Sequence, residues 1–130
     1  MNLIPGIVFS ITSDDTVANI NIVCENSVYS VCTLSDEQMM FYHIGSQVIM
    51  AFKETDTLIC MEPDALISCQ NRFYSTISQI NYGPVVSKII ANCHGFPISS
   101  IITSSSARAL DLSIGIEVIC MVKSTSILLR

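Results

Sequence analysis

Residues 7–11 alternate in polarity, with Ile7, Phe9 and Ile11 on one face and Val8 and Ser10 on the other. The same period of two sets Ile20 and Ile22 against Asn19 and Asn21, and puts Ile116, Val118, Cys120 and Val122 on one face of a run ending at Lys123. Alternation of this kind predicts half-buried β-strands. Turn residues separate the runs at Ser13-Asp14-Asp15, Glu25-Asn26-Ser27, Tyr82-Gly83-Pro84 and His94-Gly95. Two segments break the period. Ser35 to Tyr42 and Ser105 to Leu110 open on Ser and Asp cap chemistry, and each predicts a helical turn or two before a Gly-containing turn.

The whole pattern occurs twice. Residues Asn2 to Ile11 align with Asn71 to Ile80 at an offset of 69, which also matches Ile20 with Ile89 and Cys24 with Cys93. One extra residue near Gly95-Phe96-Pro97 is read as moving the offset to 70, so that Thr33 meets Thr103, Gly45 meets Gly115, Val48 meets Val118, Lys53 meets Lys123 and Leu58 meets Leu128. Both units then share G-x-x-V-x-x-x-x-K. Five short strands and one short helix in each are the content of a small OB-like barrel. The expected fold is all-β: two five-stranded OB-like barrels in tandem, each with one short helix. We place the units at residues 1–62 and 63–130, joined by a short linker at 61–66. Units this small bury little apolar surface alone, so they are expected to pack on one another and the chains to form a homo-oligomer.

Composition narrows the function. Half of the 130 residues are apolar and 13% are charged, which excludes intrinsic disorder. Six Lys and Arg against eleven Asp and Glu leave a net charge of −5, and there is no Trp. A nucleic-acid groove needs a basic track with stacking aromatics, so no nucleic-acid partner is expected. The long uncharged run between Lys88 and Arg108 is broken by Asn92, His94, Gly95 and Pro97, and does not read as a membrane span. Residues 1–13 contain no Lys or Arg, unlike a secretory signal, and the expected location is cytoplasmic.

The six cysteines (Cys24, Cys32, Cys60, Cys69, Cys93 and Cys120) include no CxxC pair and have no His at ligand spacing. They are read as buried thiols, with no metal site. His43 and His94 sit at or near turns, Asp14-Asp15 reads as a turn, and Met39-Met40 as packing. No nucleophile, base and orienting group can be assembled, so no enzyme is expected.

Three stretches carry a family resemblance. Ile67-Ser68-Cys69-Gln70-Asn71-Arg72-Phe73 is similar to the I-S-A-R-N-x-L opening of tandem molybdate-binding (di-Mop) domains of the TOBE superfamily. Val122-Lys123-Ser124-Thr125 resembles their V-K-S-T/S segment, and Ile102 to Ser106 their stretch ending in an oxyanion-contacting Ser. The resemblance covers essentially the whole chain. It implies a cytoplasmic protein of molybdate storage or molybdenum homeostasis, with molybdate or tungstate held where barrels or subunits meet. Related regulators carry an N-terminal winged helix-turn-helix; Met1 stands immediately before the first strand, so that module is expected to be missing.

A tetrahedral dianion needs donors and one or two cations around it. The candidates are Lys123, Ser124, Ser106 and the backbone of Ser68, Cys69 and Gln70, with Lys53 as a weaker one. Three departures from the family pattern matter. Gln70 stands where the family has Arg, and the opening triplet is absent from unit one. Asp36 and Glu54, taken as the counterparts of Ser106 and Ser124, place carboxylates where donors are needed. Unit two is therefore expected to hold the site. The competing expectation is a degenerate di-Mop module that oligomerises or regulates without binding a ligand.

Overall fold

A computed structural model of the chain describes residues 1–36 and 41–130. Ten strands and one α-helix are found among the described residues: β1 (Asn2–Ser13), β2 (Val17–Cys24), β3 (Ser27–Leu34), β4 (Gln47–Phe52), β5 (Leu58–Cys60), β6 (Asn71–Asn81), β7 (Val86–Cys93), β8 (Phe96–Thr103), α1 (Ser104–Ala109), β9 (Glu117–Val122) and β10 (Leu128–Leu129). They form two five-stranded antiparallel sheets, β10-β4-β1-β2-β3 and β5-β9-β6-β7-β8. The expected all-β duplication is therefore present. In each sheet the first long strand serves two partners. Residues 2–7 of β1 pair with β4 and residues 7–13 with β2, across a bulge at Val8/Ser10. In β6 the equivalent bulge falls at Ile77/Gln79. An extra residue at such a point bends the strand and increases its twist, which lets one strand belong to two walls of a small barrel.

Sequence halves and sheets part company at the last strand. β5, which follows β4 in the chain, pairs with β9 of the other sheet, as Leu58↔Met121 to Cys60↔Ile119. β10 pairs with β4, as Leu128↔Ala51 and Leu129↔Met50. Each four-stranded unit thus receives its fifth strand from the other. A 3-10 turn precedes each crossing: Glu54–Asp56 contacts β8, and Ser124–Ser126 contacts β3.

The ladders also correct the position of the extra residue. Val17 pairs with Leu34 and Val86 with Thr103, so Leu34, not Thr33, is the counterpart of Thr103. Both hairpins close on two residues, Cys24↔Ser27 and Cys93↔Phe96, leaving no room for an insertion there. The offset of 69 persists to Ser35 and Ser104, whose N–H groups donate to the carbonyls of Thr16 and Val85. By Gly45 and Gly115 it is 70, because these donate to Val8 and Ile77. The extra residue lies between Ser104 and Gly115, and the equivalence of Asp36 with Ser106 loses its support. The second predicted helical segment is α1, capped by Thr103, whose Oγ1 accepts from the Ser106 N–H at 3.1 Å. Half of the first, residues 37–40 of 35–42, lies outside the described residues.

One hydrophobic core spans both units. At its centre Phe73 of β6 stacks on Tyr29 of β3 (centroids 4.2 Å apart) and on Phe52 of β4 (5.4 Å). β9 departs from the alternation read in its sequence. Val118 to Val122 are all buried, because Cys60 and Cys69 pack on its outer face against Ile119 and Met121. All six cysteines are free; Cys32 and Cys60 are only partly buried. Burial pushes the Cys120 thiol up to about 12 and raises Cys24 and Cys93 in the same direction, as expected for inert interior thiols.

Candidate oxyanion site

The segment entering β6 carries the first set of candidates. Ser68, Cys69 and Gln70 line an open cavity of about 570 Å³ together with Ile67, Arg72 and Ser124. The fold makes this meeting: β6 pairs with β9 as Asn71↔Val122, so the residues before β6 and after β9 leave the sheet side by side. Ser68 and Ser124 offer hydroxyls with no hydrogen bond among the described residues. Cys69 contributes less than its place in the sequence promises. Its N–H donates to the Ile67 carbonyl at 2.8 Å and its thiol to the Val122 carbonyl at 3.4 Å, so both of its donors are spent inside the protein.

The remaining candidates sit apart from this cavity within one chain. Lys123 is exposed and caps the 3-10 turn that begins at Ser124, beside the cavity along the chain but not among its lining residues. Ser106 lies in the first turn of α1, where its Oγ accepts from the Thr103 hydroxyl at 2.9 Å. It does not line the cavity either. Lys53 occupies in unit one the place Lys123 has in unit two, as the exposed cap of a 3-10 turn.

The two corners differ in charge. At offsets of 69 and 70, Met1, Leu3 and Glu54 occupy the places of Gln70, Arg72 and Ser124. The Met1 ammonium is ion-paired with the Glu54 carboxylate, so the unit-one corner is self-neutralised. That hydrogen bond, followed by one from the residue's own backbone N–H, holds the Glu54 carboxyl below its ordinary range. A carboxyl so held binds fewer protons folded than unfolded. Its stabilising contribution is full above its unfolded value of about 4.3 and is lost as pH falls through the lower folded value. Glu54→Gln should therefore lower the melting temperature slightly at pH 7 and flatten its fall below about pH 4. Superimposable acid limbs for parent and variant would show that the pair contributes nothing.

Two features were not legible as site features in the sequence. Among the described residues, Arg72 is the one cation lining the cavity. Asn2 and Asn71 reach across to the other unit, each bonding one residue of an edge strand through both its N–H and its C=O. An Asn repeated at the opening of both long strands was the available signal. Among the described residues no group of three or more His, Cys, Asp or Glu side chains is arranged to hold a metal ion, and no helix is long and apolar enough to cross a membrane.

No family model matches the sequence. The chain is 25% identical over 116 residues to the molybdenum transport protein ModE of Azotobacter vinelandii, a match covering 88% of this chain and 43% of ModE. It thus spans less than half the length of that relative. Among solved structures it is similar to the cytoplasmic molybdate-binding protein ModG, crystallised with molybdate bound, at a TM-score of 0.91. That similarity covers 98% of this chain and 94% of ModG, with 18% of residues identical. From first strand to last, the chain has the tandem Mop fold of ModG.

Proposed function

We propose that this chain is a molybdate- or tungstate-binding protein of the cytoplasm, serving storage or molybdenum homeostasis, and not an enzyme. The observation that carries this reading is the cavity where Ser68 and Gln70 meet Ser124 beside Arg72. Its lining is rich in donors and poor in acceptor-only groups, which is what a dianion with four acceptor oxygens requires. The similarity to ModE and ModG supports molybdate as the ligand. Lys123 follows from the resemblance as the flexible cation beside Ser124. Ser106 lies away from the cavity in its own chain, so its part in the site would be played across a subunit boundary in a homo-oligomer. The chain's net charge of −5 offers no general attraction to nucleic acid, and no membrane partner is proposed.

Calorimetric titration with molybdate, tungstate and sulfate tests the reading. The two larger anions should bind and sulfate should bind less. Ligand at one hundred times its dissociation constant should stabilise the protein by about 2.7 kcal/mol. Lys123→Ala removes a charge-assisted hydrogen bond, about 1.5–3 kcal/mol, and should weaken molybdate by roughly one to two decades. Lys53→Ala should cost much less, because Glu54 and Met1 already fill its corner with an ion pair. Equal losses from the two variants would point to a composite site drawing on both units. Negligible heats with all three anions, and unchanged melting, would favour the ligand-free interaction module.

A further inference from the structure

Resting on that reading of the cavity, we propose that Arg72 is the ligand-binding cation of the site, taking the part of the arginine that the family pattern places at Gln70. Of the lining residues Ile67, Ser68, Cys69, Gln70, Arg72 and Ser124, it alone carries a positive charge. Strand geometry explains why a displacement by two residues is tolerated. Side chains two apart in an extended chain project from the same face. Burial follows that rule here: Asn71 and Phe73 are buried, whereas Gln70 and Tyr74 are exposed and Arg72 is partly so. A cation at 72 therefore leaves the sheet on the side from which residue 70 leaves it.

The guanidinium is also held in place. Its Nε donates to the Cys69 carbonyl at 3.1 Å and its Nη2 to the Ala65 carbonyl at 2.7 Å. Longer contacts of 3.4 Å run from Nη2 to Ile67 and from Nη1 to Pro63. Four of the five guanidinium N–H groups are thus directed to carbonyls of residues 63–69, and one on Nη1 remains for a ligand. The segment that rims the cavity is wrapped around the cation that charges it. A lysine ammonium lacks the planar fork needed to hold several carbonyls in this way. In unit one the same strand position is Leu3, so the device exists in one unit only.

The test measures molybdate affinity and ligand-free melting for the full chain and for Arg72→Gln, Arg72→Lys and Arg72→Gln with Gln70→Arg. Arg72→Gln should weaken molybdate roughly ten- to a hundredfold, and the affinity should depend less steeply on salt. Adding Gln70→Arg should recover at least about tenfold, because it returns a guanidinium to the same face. Arg72→Lys, which keeps the charge and cannot mimic the fork, should fall between parent and Arg72→Gln and is the variant to use if Arg72→Gln does not fold. A purely structural clamp predicts otherwise: lower ligand-free melting for both Arg72 variants, no recovery on Gln70→Arg, and an unchanged salt dependence. That pattern, or an Arg72→Gln affinity within about threefold of the parent, overturns the proposal while the proposed function stands. A parent chain that binds none of the anions overturns both.

Discussion

A fragment spanning residues 63–130 is expected not to exist as a folded monomer, and to fold when mixed with residues 1–62. The reason is the reciprocal exchange of fifth strands. Alone, the fragment keeps β6 to β9 but loses β5, so the ladder from Leu58 to Cys60 along β9 is vacated. It retains β10, whose partner β4 lies in the other fragment. The core is cut as well: Phe73 is fully buried, yet both aromatic rings stacked on it, Tyr29 and Phe52, come from residues 1–62. Removing aromatic partners from a core typically costs about 3–5 kcal/mol each, comparable with the whole stability of a small domain. Circular dichroism and size-exclusion chromatography of each fragment, then of an equimolar mixture, check this. A cooperative melt from monomeric 63–130 alone would show that β10 can fold back onto its own sheet, and that the exchange is dispensable.

Asn71→Ala is expected to be the most damaging single polar truncation in the chain. Asn71 is fully buried at the start of β6. Its side-chain oxygen accepts from the Ser30 N–H at 2.7 Å, and its amide donates to the Ser30 carbonyl at 2.8 Å. Ser30 lies on β3, the edge strand of the other sheet, so one amide side chain substitutes for a neighbouring strand. Alanine leaves a buried donor and a buried acceptor unpaired, at about 1–3 kcal/mol each. A loss of about 2–5 kcal/mol should lower the melting temperature by roughly 10 °C or more. Asn2 makes the mirror contact to Ser99, at 2.8 and 2.9 Å, but Ser99 is only partly buried and water can replace the lost bonds. Asn2→Ala should therefore cost about half as much. Equal losses in denaturant unfolding would mean that burial of the partner does not set the penalty.

Much of this molecule was written locally. Alternation at Ile20-Ile22, turns at Asp14-Asp15 and His94-Gly95, and the spacing of Gly45 and Lys53, repeated as Gly115 and Lys123, act over a few residues. At Ile7-Phe9-Ile11 the alternation marked the strand but not its buried face, because the bulge at Val8/Ser10 leaves Ile7 and Phe9 exposed and Val8 buried. These local signals made the strands, the hairpins and the duplication legible without coordinates. The hairpin at His94-Gly95 shows why: both residues take positive φ, 51° and 88°, the conformation of a two-residue turn that matches strand twist. Of the candidate site, Ser68, Gln70 and Ser124 were named from the sequence and do share a cavity.

What tertiary structure alone decided is a matter of partner choice. Leu58 and Leu128 are equivalent in the repeat, so the sequence offers β5 and β10 equally to either sheet. Only the path of the chain through each 3-10 turn sends them across. The same limit misplaced the extra residue. Thr33 and Thr103 match as letters, but a ladder counts hydrogen bonds, and two hairpins of equal length pair Thr103 with the place of Leu34. Arg72 and Asn71 were likewise visible as letters and silent as functions. Their partners are carbonyls and N–H groups of segments that fold against them, every residue has such groups, and only the tertiary fold selects which ones they meet.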